Sequence, residues 1–121
     1  MKYTTGHRIN VRTVRKLSEG EGFTLRNGKV VEYKAGWQVA TTLGVKTYSP
    51  EDAMKWLRWF SKQSKKETTC RNVGIWYENG IYYVDCGNRI PTKREAIERG
   101  RKANQISIYS WSRKKEPVLY L

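Results

Sequence analysis

The side chains able to transfer protons, attack carbonyls or hold metals are few and scattered in this chain. The single histidine, His7, stands in a basic N-terminal segment, and the two cysteines, Cys70 and Cys86, are widely spaced. Tetrahedral metal sites draw their ligands from close pairs of Cys or His, a spacing these residues lack. No glycine-rich phosphate loop, His–carboxylate pair or acid cluster for two metal ions occurs. Asp85, with Glu95 and basic residues after it, forms only an incomplete nuclease pattern, without a matched Glu-x-Lys. The chain is expected not to be an enzyme and to carry no metal or cofactor. A small nuclease is the weakest of three functional readings.

The abundant chemistry is positive charge. Lys and Arg number 24 against 11 Asp and Glu, a formal net charge of +13 on 121 residues. Self-repulsion of that size costs stability, and a phosphate backbone relieves it by counterion release. Nucleic acid or a nucleoprotein is therefore the expected partner, with a merely soluble basic protein as the bland alternative. A membrane partner is not expected, because the sequence has no long apolar run and no lipidation motif. The polar start Met1–Gly6 does not read as a signal peptide, and two cysteines make no disulfide framework, so a reducing cytoplasm is the expected compartment.

The basic residues concentrate where a helix is predicted over residues 50–66. At 100° per residue, Ala53, Trp56, Leu57, Phe60 and Ser64 share one face, and Lys55, Arg58, Lys62, Lys65 and Lys66 share the other. Only Glu51 is placed to neutralise any of them, through Lys55 four residues on. Trp59 falls on the rim of the basic face. A ring among unpaired lysines suits stacking on a base beside phosphate contacts, or it is tucked under a loop. A second helix, over residues 93–103, is expected to pair its own charges: Glu95 with Arg99, and Glu98 with Arg94 and Lys102, leaving Arg101 least satisfied. Near the N-terminus, Val11, Val14 and Leu17 have helical spacing after a possible Asn10 cap, with Arg12, Arg15 and Lys16 turned away. The segment reads as a short basic helix or a flexible basic arm over residues 1–20.

These helices are positioned by hairpins. Asn27-Gly28 and Asn79-Gly80 each sit between β-forming runs, and Asn-Gly supplies the two positive-φ residues of a type I′ turn. The first hairpin joins residues 22–26 to 29–34, and the second joins 72–78 to 81–86. Ser49-Pro50-Glu51-Asp52 reads as an N-cap with Pro at the first helical position, and Thr92–Glu95 reads as a capping box. Further strands are expected at 37–42, 105–111 and 118–121. The fold class is α+β: two hairpin-then-helix modules (21–66 and 71–111) in one domain over 21–121, a mainly antiparallel sheet packed by two helices. The repeat reads as weak duplication or as independent use of common turn chemistry.

A two-residue loop at Asn79-Gly80 fixes the register of the second hairpin. Tyr77 opposes Tyr82, Trp76 opposes Tyr83, Ile75 opposes Val84 and Gly74 opposes Asp85. Val73, Ile75, Tyr77, Tyr82, Val84 and Cys86 then form a core face. Trp76 and Tyr83 face the other way, either as an exposed aromatic platform or beneath a second layer. Cys86 falls opposite Val73, three positions from Cys70, so both cysteines are expected to be free thiols buried as small hydrophobes.

The stretch Asn72–Asp85, then Ala96 to Gly100-Arg101, then Asn104–Trp111, resembles small accessory proteins of phages and other mobile elements. The shared pattern is Gly-Ile-Trp, a Tyr-Val-Asp strand, a helix with Ala, then Gln before an alternating strand ending at Trp. It covers roughly the C-terminal half and speaks to fold more than to activity. The resemblance implies an accessory role, some such proteins being inhibitors of host defence, including anti-CRISPR proteins. It carries over no catalytic residues. The leading expectation is a phage-type inhibitor of a host nucleoprotein such as a CRISPR effector with its guide RNA. A plain DNA- or RNA-binding module for regulation or packaging is the second.

Overall fold

In the computed structural model, which describes residues 8–40, 44–64, 71–113 and 116–121, both Asn-Gly pairs turn the chain in the left-handed region. Their φ angles are 53° and 75° at Asn27-Gly28 and 52° and 77° at Asn79-Gly80. The first turn joins β1 (Gly22–Arg26) to β2 (Lys29–Val31), and the second joins β5 (Asn72–Glu78) to β6 (Ile81–Ile90). The register of the second hairpin is the expected one, from Glu78↔Ile81 to Val73↔Cys86.

Between the hairpins lie β3 (Trp37–Ala40), β4 (Val45–Thr47) and α2 (Pro50–Ser64); after them come α3 (Lys93–Lys102), β7 (Ser107–Ser110) and β8 (Val118–Tyr120). The short helix at the start, α1 (Val11–Arg15), is capped by Asn10, whose side chain accepts from the Thr13 N–H. Ser49 likewise accepts from Asp52 N–H, and Thr92 from Glu95 N–H.

All eight strands among the described residues join one antiparallel sheet in the order β2-β1-β5-β6-β3-β7-β8, with β4 also on β6. The fold is α+β, with the helices on the sheet. β6 runs four residues beyond the expected end at Cys86. Its far half pairs with β3 and its near half with β4, on the side away from β5. Gly87 stands where this packing is tightest, since a Cβ there would lie 2.2 Å from the Val39 carbonyl oxygen.

Alternate residues of β6 point to one face. Val84 and Cys86 join Val14, Leu25, Leu57, Phe60 and Ile75 in one core cluster; Ile90 joins Val39, Ala96 and Ile108 in a second. Each large apolar side chain buried in these clusters contributes about 1.5–3 kcal/mol. α1, α2 and α3 therefore cover the same side of the sheet, and Val14 ties α1 into the first core.

Four local expectations are corrected. Trp56 is exposed, and Met54 takes its place in the core, because the buried arc of α2 centres on Ala53 and Leu57. Glu51 pairs with Arg15 of the packed α1, not with Lys55 on its own helix. Glu98 forms no ion pair among the described residues; only Glu95–Arg99 closes, at 3.1 Å. Cys86 is disulfide-bonded rather than a free thiol. Ladder spacing limits only residues inside a paired strand, and β5 starts at Asn72, so the register placed no bound on a cysteine upstream. Cys70, Lys65, Lys66 and His7 lie outside the described residues, as does the side chain of Ser64.

Candidate nucleic-acid interface

The exposed side of α2 is basic and aromatic because its sequence alternates core and charge on a 3.6-residue period. Lys55, Arg58 and Lys62 are exposed, and Trp59 is 50% exposed. Trp59 is not tucked under a loop. Its ring meets Phe60 edge-on at 5.2 Å and Trp56 at 5.8 Å, so the buried Phe60 anchors a three-ring ridge at the helix rim. None of the three basic residues forms an ion pair among the described residues.

Two acids lie within helical reach of Lys55: Asp52, which forms no ion pair among the described residues, and Glu51, which Arg15 holds. Glu51 sits in the free first turn of α2, and its own backbone N–H, then the Arg15 guanidinium, hold its carboxyl below the usual carboxylate range. The acid is thus engaged away from Lys55. α1 packs against α2, and its Arg12 and Lys16 are exposed beside it. Arg12, Lys16, Lys55, Arg58, Trp59 and Lys62 therefore belong to one packed helix pair. Arg101 is exposed too, but on α3, which packs over β3, β7 and β6.

Trp76 and Tyr83 lie on the opposite side of the sheet. Their rings stack at 4.9 Å with planes 29° apart, and Trp76 is 42% exposed, so no second layer covers it. Lys46 of β4 stands over the Tyr83 ring at 5.7 Å. The far half of the same face is closed by the segment after β2. There Tyr33 donates to Asn72 Oδ1 at 3.3 Å and packs edge-on against Trp111, while Arg89 donates to the Ala35 carbonyl at 2.8 Å. The site residues thus form two surfaces, one on each side of the sheet.

Sequence reasoning missed Lys46, because a three-residue strand has no readable period. It also missed the setting of Asp85, although Gly74 opposite Asp85 in the register was a legible sign of a carboxylate with room to lie down. Burial pushes the Asp85 carboxyl up to about 6.

Among the described residues, no three His, Cys, Asp or Glu side chains are grouped as metal ligands, and no helix is long and apolar enough to cross a membrane. Compared with family models, curated proteins and solved structures, the chain matches none.

Proposed function

We propose that this is a non-enzymatic binding protein that grips nucleic acid, free or in a nucleoprotein, through the α1–α2 surface. One observation carries the reading. Lys55, Arg58 and Lys62 stand exposed on one helix with an exposed Trp59 among them, and none of the three forms an ion pair among the described residues. The net charge of +13 supports it, since so large an excess is relieved by phosphates. Lysines and arginines supply sequence-independent phosphate contacts, and the indole supplies stacking on an unpaired base. Cation-rich surfaces of this kind do not mimic DNA. They occupy an RNA or another anionic surface.

Within this reading, the resemblance of the C-terminal half to mobile-element accessory proteins supports a host nucleoprotein, a CRISPR effector with its guide RNA, as the target. Titration against labelled single- and double-stranded oligonucleotides tests the binding itself. Capture of a nucleoprotein from host lysate, lost on nuclease treatment, tests the target. Failure to bind any oligonucleotide at low salt overturns the reading.

A further inference from the structure

The uncovered half of the sheet carries a second arrangement with its own chemistry. Across β1, β5, β6 and β4 runs a row Gly22, Trp76, Tyr83, Lys46. Lys46 caps the Tyr83 end of the ring stack. At the other end, Gly22 puts no side chain beside the indole. The next row holds Gly74 and Asp85, directly opposed. The carboxylate lies over Gly74, where a Cβ would come 2.9 Å from Asp85 Oδ1. Asp85 is half-buried, and no donor among the described residues bonds to it. An acceptor desolvated without a partner carries a cost that a ligand's N–H groups would remove.

We propose that this face is a base site for single-stranded nucleic acid, where an unpaired guanine packs against the Trp76–Tyr83 stack and donates N1–H and an N2 hydrogen to Asp85. The inference rests on the nucleic-acid reading above and names the base that reading leaves open. Guanine presents two adjacent donors, matching the two carboxylate oxygens. Adenine and cytosine alternate donor with acceptor, and thymine sets one donor between two carbonyls, so each turns a lone pair towards the carboxylate. Stacking on an aromatic pair is tolerant of base identity; the carboxylate is what discriminates. Lys46 stands beside the stack to meet a phosphate.

The test uses short single-stranded thymidine oligomers with a central guanine, hypoxanthine or adenine, titrated against the full chain at fixed salt. Guanine should bind about tenfold more tightly than adenine, with hypoxanthine, which lacks the N2 amino group, between them. Asp85→Asn should erase that order. Trp76→Ala should weaken every oligomer. Equal affinity for the three central bases on the unmodified protein overturns the proposal without any question of folding. So does a guanine preference that survives in a folded Asp85→Asn variant. If no oligomer binds at all, the nucleic-acid reading itself falls and takes this site with it.

Discussion

Arg15 of α1 donates to the carboxylate of Glu51 across the junction of the two helices, and this takes from Lys55 the acid four residues before it. The pair is exposed and contributes little stability by itself. Its consequence is electrostatic: Glu51 is withdrawn from Lys55, and Lys55, Arg58 and Lys62 form no ion pair among the described residues.

Trp59→Ala separates a binding ring from a packing ring. The side chain is half exposed, and Phe60 beneath it keeps its own burial, so the melting temperature should change little. Binding to single-stranded nucleic acid should weaken by about 1–3 kcal/mol if the ring stacks on a base. Thermal melts and titrations on one preparation distinguish the outcomes, and a large loss of stability with intact binding assigns Trp59 to the core.

Asp85 should give the stability a pH dependence of unusual sign. Its carboxyl is raised from 3.8 to about 6, so the folded state holds the proton where the unfolded chain has lost it. Stability contributed by that proton is present below about pH 4 and falls as pH rises towards 6. Asp85→Asn should therefore be more stable than the unmodified protein at pH 7, on the order of 1–3 kcal/mol, and the gap should close near pH 4. Glu21 and Glu51 shift the other way, but they are common to both proteins and cancel in the difference. A pH-independent gap in denaturant melts contradicts this account of Asp85.

Two glycines should respond differently to alanine. At Gly87 the new Cβ meets backbone, the Val39 oxygen at 2.2 Å and the Ala40 Cα at 2.9 Å, which cannot yield without opening the β3–β6 ladder. Gly87→Ala should cost about 1–3 kcal/mol or more. At Gly100 the first atom met is the end of Leu121, at 2.6 Å, and a helix interior favours Ala over Gly by about 1 kcal/mol. Gly100→Ala should thus be far milder, and equal losses in the two unfolding curves would refute the contact argument.

Thiol labelling of the denatured, unreduced protein should find Cys86 blocked and release it after reductant. Modification of Cys86 before reduction contradicts the bonded state.

The hairpins were legible because a two-residue Asn-Gly loop leaves one register, and from it followed the core face of β5–β6 and the Trp76–Tyr83 pair. The caps at Asn10, Ser49 and Thr92 were legible because their oxygens act within one turn. What escaped depends on distant chain. Glu51 chose Arg15 over Lys55 only because α1 packs on α2. β4 was invisible because Val45–Thr47 is too short for a pattern and is ordered by β6. Lys46 above Tyr83, and Gly44 beside Asp85, went unread with it. Met54 replaced Trp56 in the core because the neighbouring elements decide where the buried arc of α2 is centred.

The salt dependence of nucleic-acid affinity, measured on the unmodified protein and on Arg58→Glu/Lys62→Glu, tests the central claim most directly. With about six phosphate contacts, affinity should fall roughly 10³-fold between about 50 and 200 mM salt. The double reversal should abolish tight binding and flatten the log–log slope by about 2, with the melting temperature nearly unchanged. Reversal of Arg94 and Lys102 on α3 should do much less. A flat salt response in the unmodified protein, or greater damage from the α3 pair than from the α2 pair, would contradict a phosphate-binding surface on α2.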